Sequence, residues 1–469
     1  MDVIGAQALE ISRAIQTREI SAVELMQATL ARIEAVNPRV NAVVSLRDTD
    51  MLLEEARQAD SGDRQGWLHG IPMAIKDLAH VAGMPTSFGS PLYADDIAPA
   101  DDVIVARLRA AGAIFIGKTN VPEFGLGSHS VNPVHGATCN PYDLTKSAGG
   151  SSGGAAAALA TGMVCLADGS DMMGSLRNPA AWNNVYGMRP TWGLVPDCSG
   201  GEAYISQLST LGPMARNPAD LAALLDTLAG ADARAPQSLP HTSVLPGIDD
   251  LPRPVRLASL GDWGGDIPMA PGILNGMQRA LHQMTELGWH IEENSAPFSA
   301  AKLWRSWTTL RSFVVASSKG MEYENPERRA QLGPALIWEI EQGRALDAAA
   351  IWEASSIRSD WFRCCAALFK RFDFLVQPSA QLWPFDVTKR YPETIAGAKM
   401  DTYHRWMEVV IPASLIGLPV INLPCGFGEN GLPMGVQLIG RPGSDAHLLQ
   451  AAQCWHRSTE WPQTRPAMV

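Results

Sequence analysis

Three side chains in this sequence have the types needed for hydrolytic acyl transfer. They are Lys76 in Gly70-Ile-Pro-Met-Ala-Ile-Lys-Asp77, Ser151 in Gly149-Gly-Ser-Ser-Gly-Gly154, and Ser175 in Asp171-Met-Met-Gly-Ser-Leu-Arg-Asn-Pro179. A serine hydroxyl is a poor nucleophile until a base removes its proton, and a lysine is that base only when neutral. The apolar flank Ile71 to Ile75 favours neutrality, because burial penalises the ammonium form; Asp77 would oppose this if its carboxylate turned inward. The plainer reading of Lys76 is a lysine reaching from a strand edge to solvent. The ten histidines stand singly, and none belongs to a His-Glu-x-x-His or similar metal-binding pattern.

The Gly149 to Gly154 loop lacks bulky side chains and feeds Ala155-Ala-Ala-Ala-Leu-Ala160. Its N–H groups can crowd at a helix N-terminus and favour a nearby negative charge, such as a developing oxyanion. The bland alternative is a flexible turn before an Ala-rich helix. A phosphate loop is disfavoured, since the Gly-Lys-Ser/Thr ending is missing. Residues 149–153 formally fit the Gly-x-Ser-x-Gly nucleophile elbow with Ser151 as nucleophile, but an elbow follows an apolar strand and Pro141 to Ala148 is polar and turn-like. Met163 to Ala167 is apolar and strand-like, and Asp168 to Gly174 makes a turn that presents Ser175. Ser175 is therefore the better nucleophile.

These residues need a large scaffold. A chain of 469 residues, 46% hydrophobic and 18% charged, can bury a sizeable core. Ser21-Ala-Val-Glu24 is a capping box opening an amphipathic helix that should stop before Pro38. Apolar runs at 113–116, 163–167, 374–376, 420–423 and 436–439 read as buried strands separated by helical patterns, which predicts an α/β sheet between helices. The Pro-, Ser-, Gly- and Asp-rich stretch 231–254 reads as a linker into a peripheral α/β lobe, with a strand at 255–260 and a helix at 273–287. The expectation is a single domain over 1–469: a catalytic block at about 60–200, the lobe at about 231–300, and a segment at 370–455 returning to the core sheet. A net charge of −11 argues against a nucleic-acid partner. Seven scattered cysteines suggest neither disulfides nor a zinc site. No basic segment leads into an apolar run and no stretch is long enough to span a membrane, so a cytoplasmic protein is expected.

The motifs also resemble, in order and spacing, the amidase signature family. They are the Lys76 segment, Gly117-Lys-Thr-Asn-Val-Pro-Glu-Phe124, Asn140-Pro-Tyr-Asp143, the 149–154 loop and Gly174-Ser-Leu-Arg177. The likeness continues through Asn422 to Phe427 and Gly431 to Pro442, so it covers nearly all the chain outside the lobe. The resemblance implies an α/β/α fold around a central mixed, twisted β-sheet covered by helices on both faces, and a Ser-cis-Ser-Lys triad of Ser175, Ser151 and Lys76. It also implies an oxyanion hole from the backbone N–H groups of Met172, Met173, Gly174 and Ser175, and no cofactor or metal. Gly150, Ser152, Asp171 and Arg177 are expected to support the site.

Asp171-Met-Met-Gly-Ser175 departs from the commoner Asp-Thr-Gly-Gly-Ser. A Met for the first Gly requires a backbone angle that a side chain tolerates, and it makes the acyl pocket greasier unless both methionines pack into the core. Trp304, Trp307, Trp383 and Trp406 lie where the family varies its pocket walls, although large aromatics commonly serve the core; of the four, Trp383 is taken as a pocket residue. Gly125, Leu126 and Gly127 resemble the loop bordering the scissile bond. The expected substrate is a small aryl or alkyl amide, with esters and carbamates as urethanase-like alternatives, hydrolysed by a monomer or homodimer. Two other readings stand beside this: a glutamine-hydrolysing A subunit of glutamyl-tRNA amidotransferase, working with partner subunits, and a non-catalytic binding protein on the same fold.

Overall fold

The computed structural model describes residues 3–198 and 202–468. Eight strands form one mixed sheet in the spatial order His290–Glu293, Arg256–Ser259, Phe374–Pro378, Pro433–Gly440, Val420–Phe427, Tyr186–Arg189, Thr210–Ala215 and Leu166–Asp171. Arg256–Ser259 pairs in parallel with both of its neighbours, and the remaining pairs are antiparallel. The two central strands, Val420–Phe427 and Pro433–Gly440, are buried along nearly their whole length. That pattern belongs to a sheet covered by helices on both faces, and the fold is α/β/α. Residues 231–300 supply two strands at one end of this same sheet, and residues 370–455 supply three more.

Lys76 sits on a second, three-stranded sheet of Val43–Val44, Ile114–Thr119 and Pro72–Lys76. Between the two sheets lies the fully buried helix Gly153–Ala160. Small residues allow the close approach: a Cβ on Gly154 would stand 2.3 Å from the backbone nitrogen of Asn120.

Two boundaries differ from expectation. The opening helix, with its capping box at Ser21 and Glu24, runs Ala22–Val40 straight through Pro38. Proline near the end forfeits only one helical hydrogen bond. Asn41, at φ 55°, closes the helix through Asn37 O, and the Asn37 side chain accepts from Ala42 N and Val43 N at 2.9 Å each. The strand expected at 163–167 is Leu166–Asp171, because Asp168, Gly169, Ser170 and Asp171 continue the ladder with Pro213, Gly212, Leu211 and Thr210.

Candidate active site

Lys76 ends a strand whose five residues are all buried. Its Nζ lies 2.8 Å from Ser151 Oγ, 2.8 Å from Ser152 Oγ and 2.9 Å from Ser170 Oγ. Burial drives the amine down to about 7, against the opposing pull of the Asp168 and Asp171 carboxylates. Asp77 is turned away: it accepts from Ser87 N at 3.1 Å and from Ser87 Oγ, and lies 3.8 Å from His135. The inward charge comes instead from Asp168, which accepts the Lys76 backbone N–H at 3.0 Å. Asp168 and Ser170 alternate along their strand and so share the face turned to the lysine.

Ser151 follows a cis peptide bond from Gly150. Gly150 O accepts from Ser128 Oγ, and Ser151 O accepts from Ser130 Oγ at 3.3 Å. Ser152 opens the Gly153–Ala160 helix but turns its hydroxyl to Lys76 rather than to the helix N–H groups. His129 is bonded to Ser147 Oγ at 2.7 Å and to Val387 O at 3.0 Å, and burial pushes it down to about 4.

Ser175 lies just past the end of the strand Leu166–Asp171. Its position depends on Asp171, whose carboxylate accepts from Gly174 N at 2.8 Å, Leu176 N at 3.1 Å and both Nε and Nη2 of Arg177 at 3.0 Å. Both partners of this pair are fully buried. Burial alone would raise the Asp171 carboxyl, but Arg177 and Arg189 hold it well below the usual range. Arg177 also reaches Val410 O, Gln437 Oε1 and Ser414 Oγ, tying the turn to the helical segment 405–414 and to the strand Pro433–Gly440.

The turn corrects one expectation about the oxyanion donors. Gly174 N–H is committed to Asp171, so it is not a free donor. Among the described residues, no acceptor engages the N–H groups of Met172, Met173 or Ser175. The left-handed angle falls on Gly174, at φ 80°, while both methionines keep ordinary backbone angles. Met173 is buried in the core and Met172 is half-buried, yet both border the cavity.

That cavity, of about 150 Å³, is where Ser151 and Ser175 meet open space. The loop Gly125, Leu126 and Gly127 lines it, together with Leu78, Phe124 and Met407. A Cβ on Gly125 would stand 3.6 Å from Ser151 Oγ, so the loop passes directly beside that serine. Trp383 does not line the cavity. Its indole donates to Pro271 O at 3.0 Å and its ring abuts the backbone at Gly272 and Gly428. Trp307 and Trp406 are core residues, and Trp304 packs against His404 and Arg405. Sequence reasoning misses Ser170, whose signal is the alternation with Asp168. It also misses Arg311 and Lys319, which reach the cavity from a distant helix.

Comparison with known proteins gives a consistent picture. A family model described as Amidase matches residues 24–449. The chain is 34% identical over 498 residues to the A subunit of the glutamyl-tRNA(Gln) amidotransferase of Chloroflexus aurantiacus, covering 100% of this chain and 99% of that one. It is 33% identical over 472 residues to an acylamidase of Rhodococcus erythropolis, covering 98% and 97%. A solved bacterial aryl acylamidase of the amidase signature enzymes matches with a TM-score of 0.90 at 29% identity, covering 98% of this chain and 99% of that one.

Proposed function

The chain belongs to the amidase family and is an amide-hydrolysing enzyme, and from that premise we propose that it cleaves small aryl or apolar amides through an acyl-enzyme on Ser175. Neutral Lys76 takes the Ser151 proton as Ser151 takes that of Ser175, and Ser175 Oγ attacks the carbonyl carbon. The oxyanion faces the N–H groups of Met172, Met173 and Ser175. Collapse expels the amine, protonated by the relay in reverse, and water then attacks the acyl group by the same route to release the acid. Esters pass through the same steps. A carbamate expels its alcohol, protonated by the same relay, to leave a carbamoyl-enzyme; water releases a carbamic acid that breaks down to an amine and carbon dioxide.

The observation that carries this reading is the buried Lys76 amine, 2.8 Å from Ser151 Oγ and pushed down to about 7, beside a cavity walled by Leu, Phe and Met. The partner is the small substrate alone, met by a cytoplasmic monomer or homodimer.

The full-length likeness to an amidotransferase of this kind favours glutamine as a second reading. Against it, glutamine carries an α-ammonium group, and no Asp or Glu lines this cavity among the described residues. A binding protein without catalysis requires an inert Ser175. The test is hydrolysis of a matched anilide, aryl ester, aryl carbamate and glutamine by wild type and Ser175→Ala. Anilide or carbamate cleavage that disappears in the variant supports the proposal. Glutamine turnover alone favours the amidotransferase, and no turnover favours the binding protein.

A further inference from the structure

The helix Ala300–Glu324 crosses the cavity, presenting Arg311, Val315, Ser318 and Lys319 to it at helical spacing. Its two cations differ in their partners. Arg311 is matched: Nε donates to Glu339 Oε1 at 2.6 Å, Nη2 donates to Tyr403 Oη at 2.7 Å, and Nη1 lies 3.4 Å from Met172 Sδ beside the oxyanion turn. Lys319 has no hydrogen bond or ion pair with any described residue. Its ammonium stands 4.9 Å from the ring centre of Phe124 and 5.9 Å from that of Phe88. Glu322, one turn on, acts on Lys319 through its charge; its Oε1 accepts from Tyr93 Oη at 2.6 Å, and its Oε2 has no hydrogen-bond partner among the described residues. Tyr93 also accepts from Arg328 at 2.9 Å, so a second cation stands on that side.

A half-buried ammonium without a hydrogen bond or ion pair, in a cavity that no carboxylate lines among the described residues, is an electrostatic vacancy for an anion. The faces of the two aromatic rings meet the ammonium itself and hold it at the cavity wall. Eight residues at 1.5 Å each separate Arg311 from Lys319, or about 12 Å along the helix. We infer that Lys319 is a specificity residue that selects substrates bearing a carboxylate at the Lys319 end of the cavity. The inference rests on the Ser175 reading and narrows its substrate class from apolar amides to those with an anionic far end.

The test uses the purified full chain and two matched anilide pairs, each comparing a terminal carboxylate with a methyl group, on the acyl arm in one pair and on the amine arm in the other. In one pair the carboxylate should be preferred roughly 10- to 100-fold in kcat/KM, chiefly through KM, with the preference shrinking as salt rises. Lys319→Met should collapse that ratio towards one, and Lys319→Arg should restore most of it. Equal kcat/KM within both pairs of the wild type overturns the inference, whether or not the variants fold. So does a ratio that survives Lys319→Met. If Ser175→Ala abolishes hydrolysis while the pairs remain equal, the hydrolytic reading stands and only the carboxylate preference is lost.

Discussion

Replacing Lys76 by arginine keeps a cation in the site but removes a group that can lose its proton. This variant and the pH profile of the wild type together test the base. A lysine at the ordinary value near 10.4 is neutral in only about one molecule in 2500 at pH 7. At about 7 the Lys76 amine is half neutral at the same pH. The displacement from 10.5 corresponds to on the order of 5 kcal/mol favouring the neutral form. Because the lowered group works unprotonated, kcat/KM for a neutral anilide should rise with pH through about 7. It should fall to about 1% of its plateau at pH 5, two units below. Lys118, pushed down to about 8 by burial, donates to Ala79 O and Thr86 Oγ1 and does not line the cavity, so it should not appear in the profile. A flat profile from pH 5 to 9, or a Lys76→Arg enzyme with more than about 1% of wild-type activity, would refute the reasoning.

Ser151→Ala and Lys76→Ala should each lose about 10²- to 10⁴-fold in kcat, and the double variant should be little worse than either, since the groups act as one relay; multiplied losses in steady-state kinetics contradict this. Arg177→Met leaves the buried Asp171 short of its bidentate partner and should cost about 3–5 kcal/mol. A thermal melt should therefore fall by several degrees, and a Tm within about 1 °C of wild type argues against the pair as a support. Gly174→Ala places a Cβ 2.9 Å from both Val410 methyl carbons at a φ of 80°. The distorted turn should lower kcat by about 10²- to 10³-fold, as loss of an oxyanion donor does, and near-normal turnover would show that the turn tolerates the change.

The parts of the site that lie on continuous, chemically constrained segments are legible in the sequence. The apolar flank of Lys76 points to burial, and the Gly/Ser/Ala run points to a tightly packed helix start. What escapes depends on partners far along the chain. Ser170 reads as turn because its strand is extended by pairing with residues 210–213, a ladder that no local pattern announces. The commitment of Gly174 N–H to Asp171 follows from the carboxylate's orientation, which Arg177, on the helix just after the turn, and Arg189, two strands along the sheet, fix together. Trp383 has the right type for a pocket wall, but packing between Gly272 and Gly428 decides its place. Arg311 and Lys319 each stand more than 130 residues beyond Ser175 in the sequence, and only the tertiary fold brings them to the same cavity.

The central claim is that Ser175 carries the acyl group. Mixing the enzyme with an aryl ester or aryl carbamate, quenching within the first turnovers and mapping the adduct by peptide mass tests it directly. The account predicts one acyl or carbamoyl group on the peptide containing Ser175, absent in Ser175→Ala. An adduct on Ser151, or full turnover by Ser175→Ala with no adduct anywhere, would contradict it.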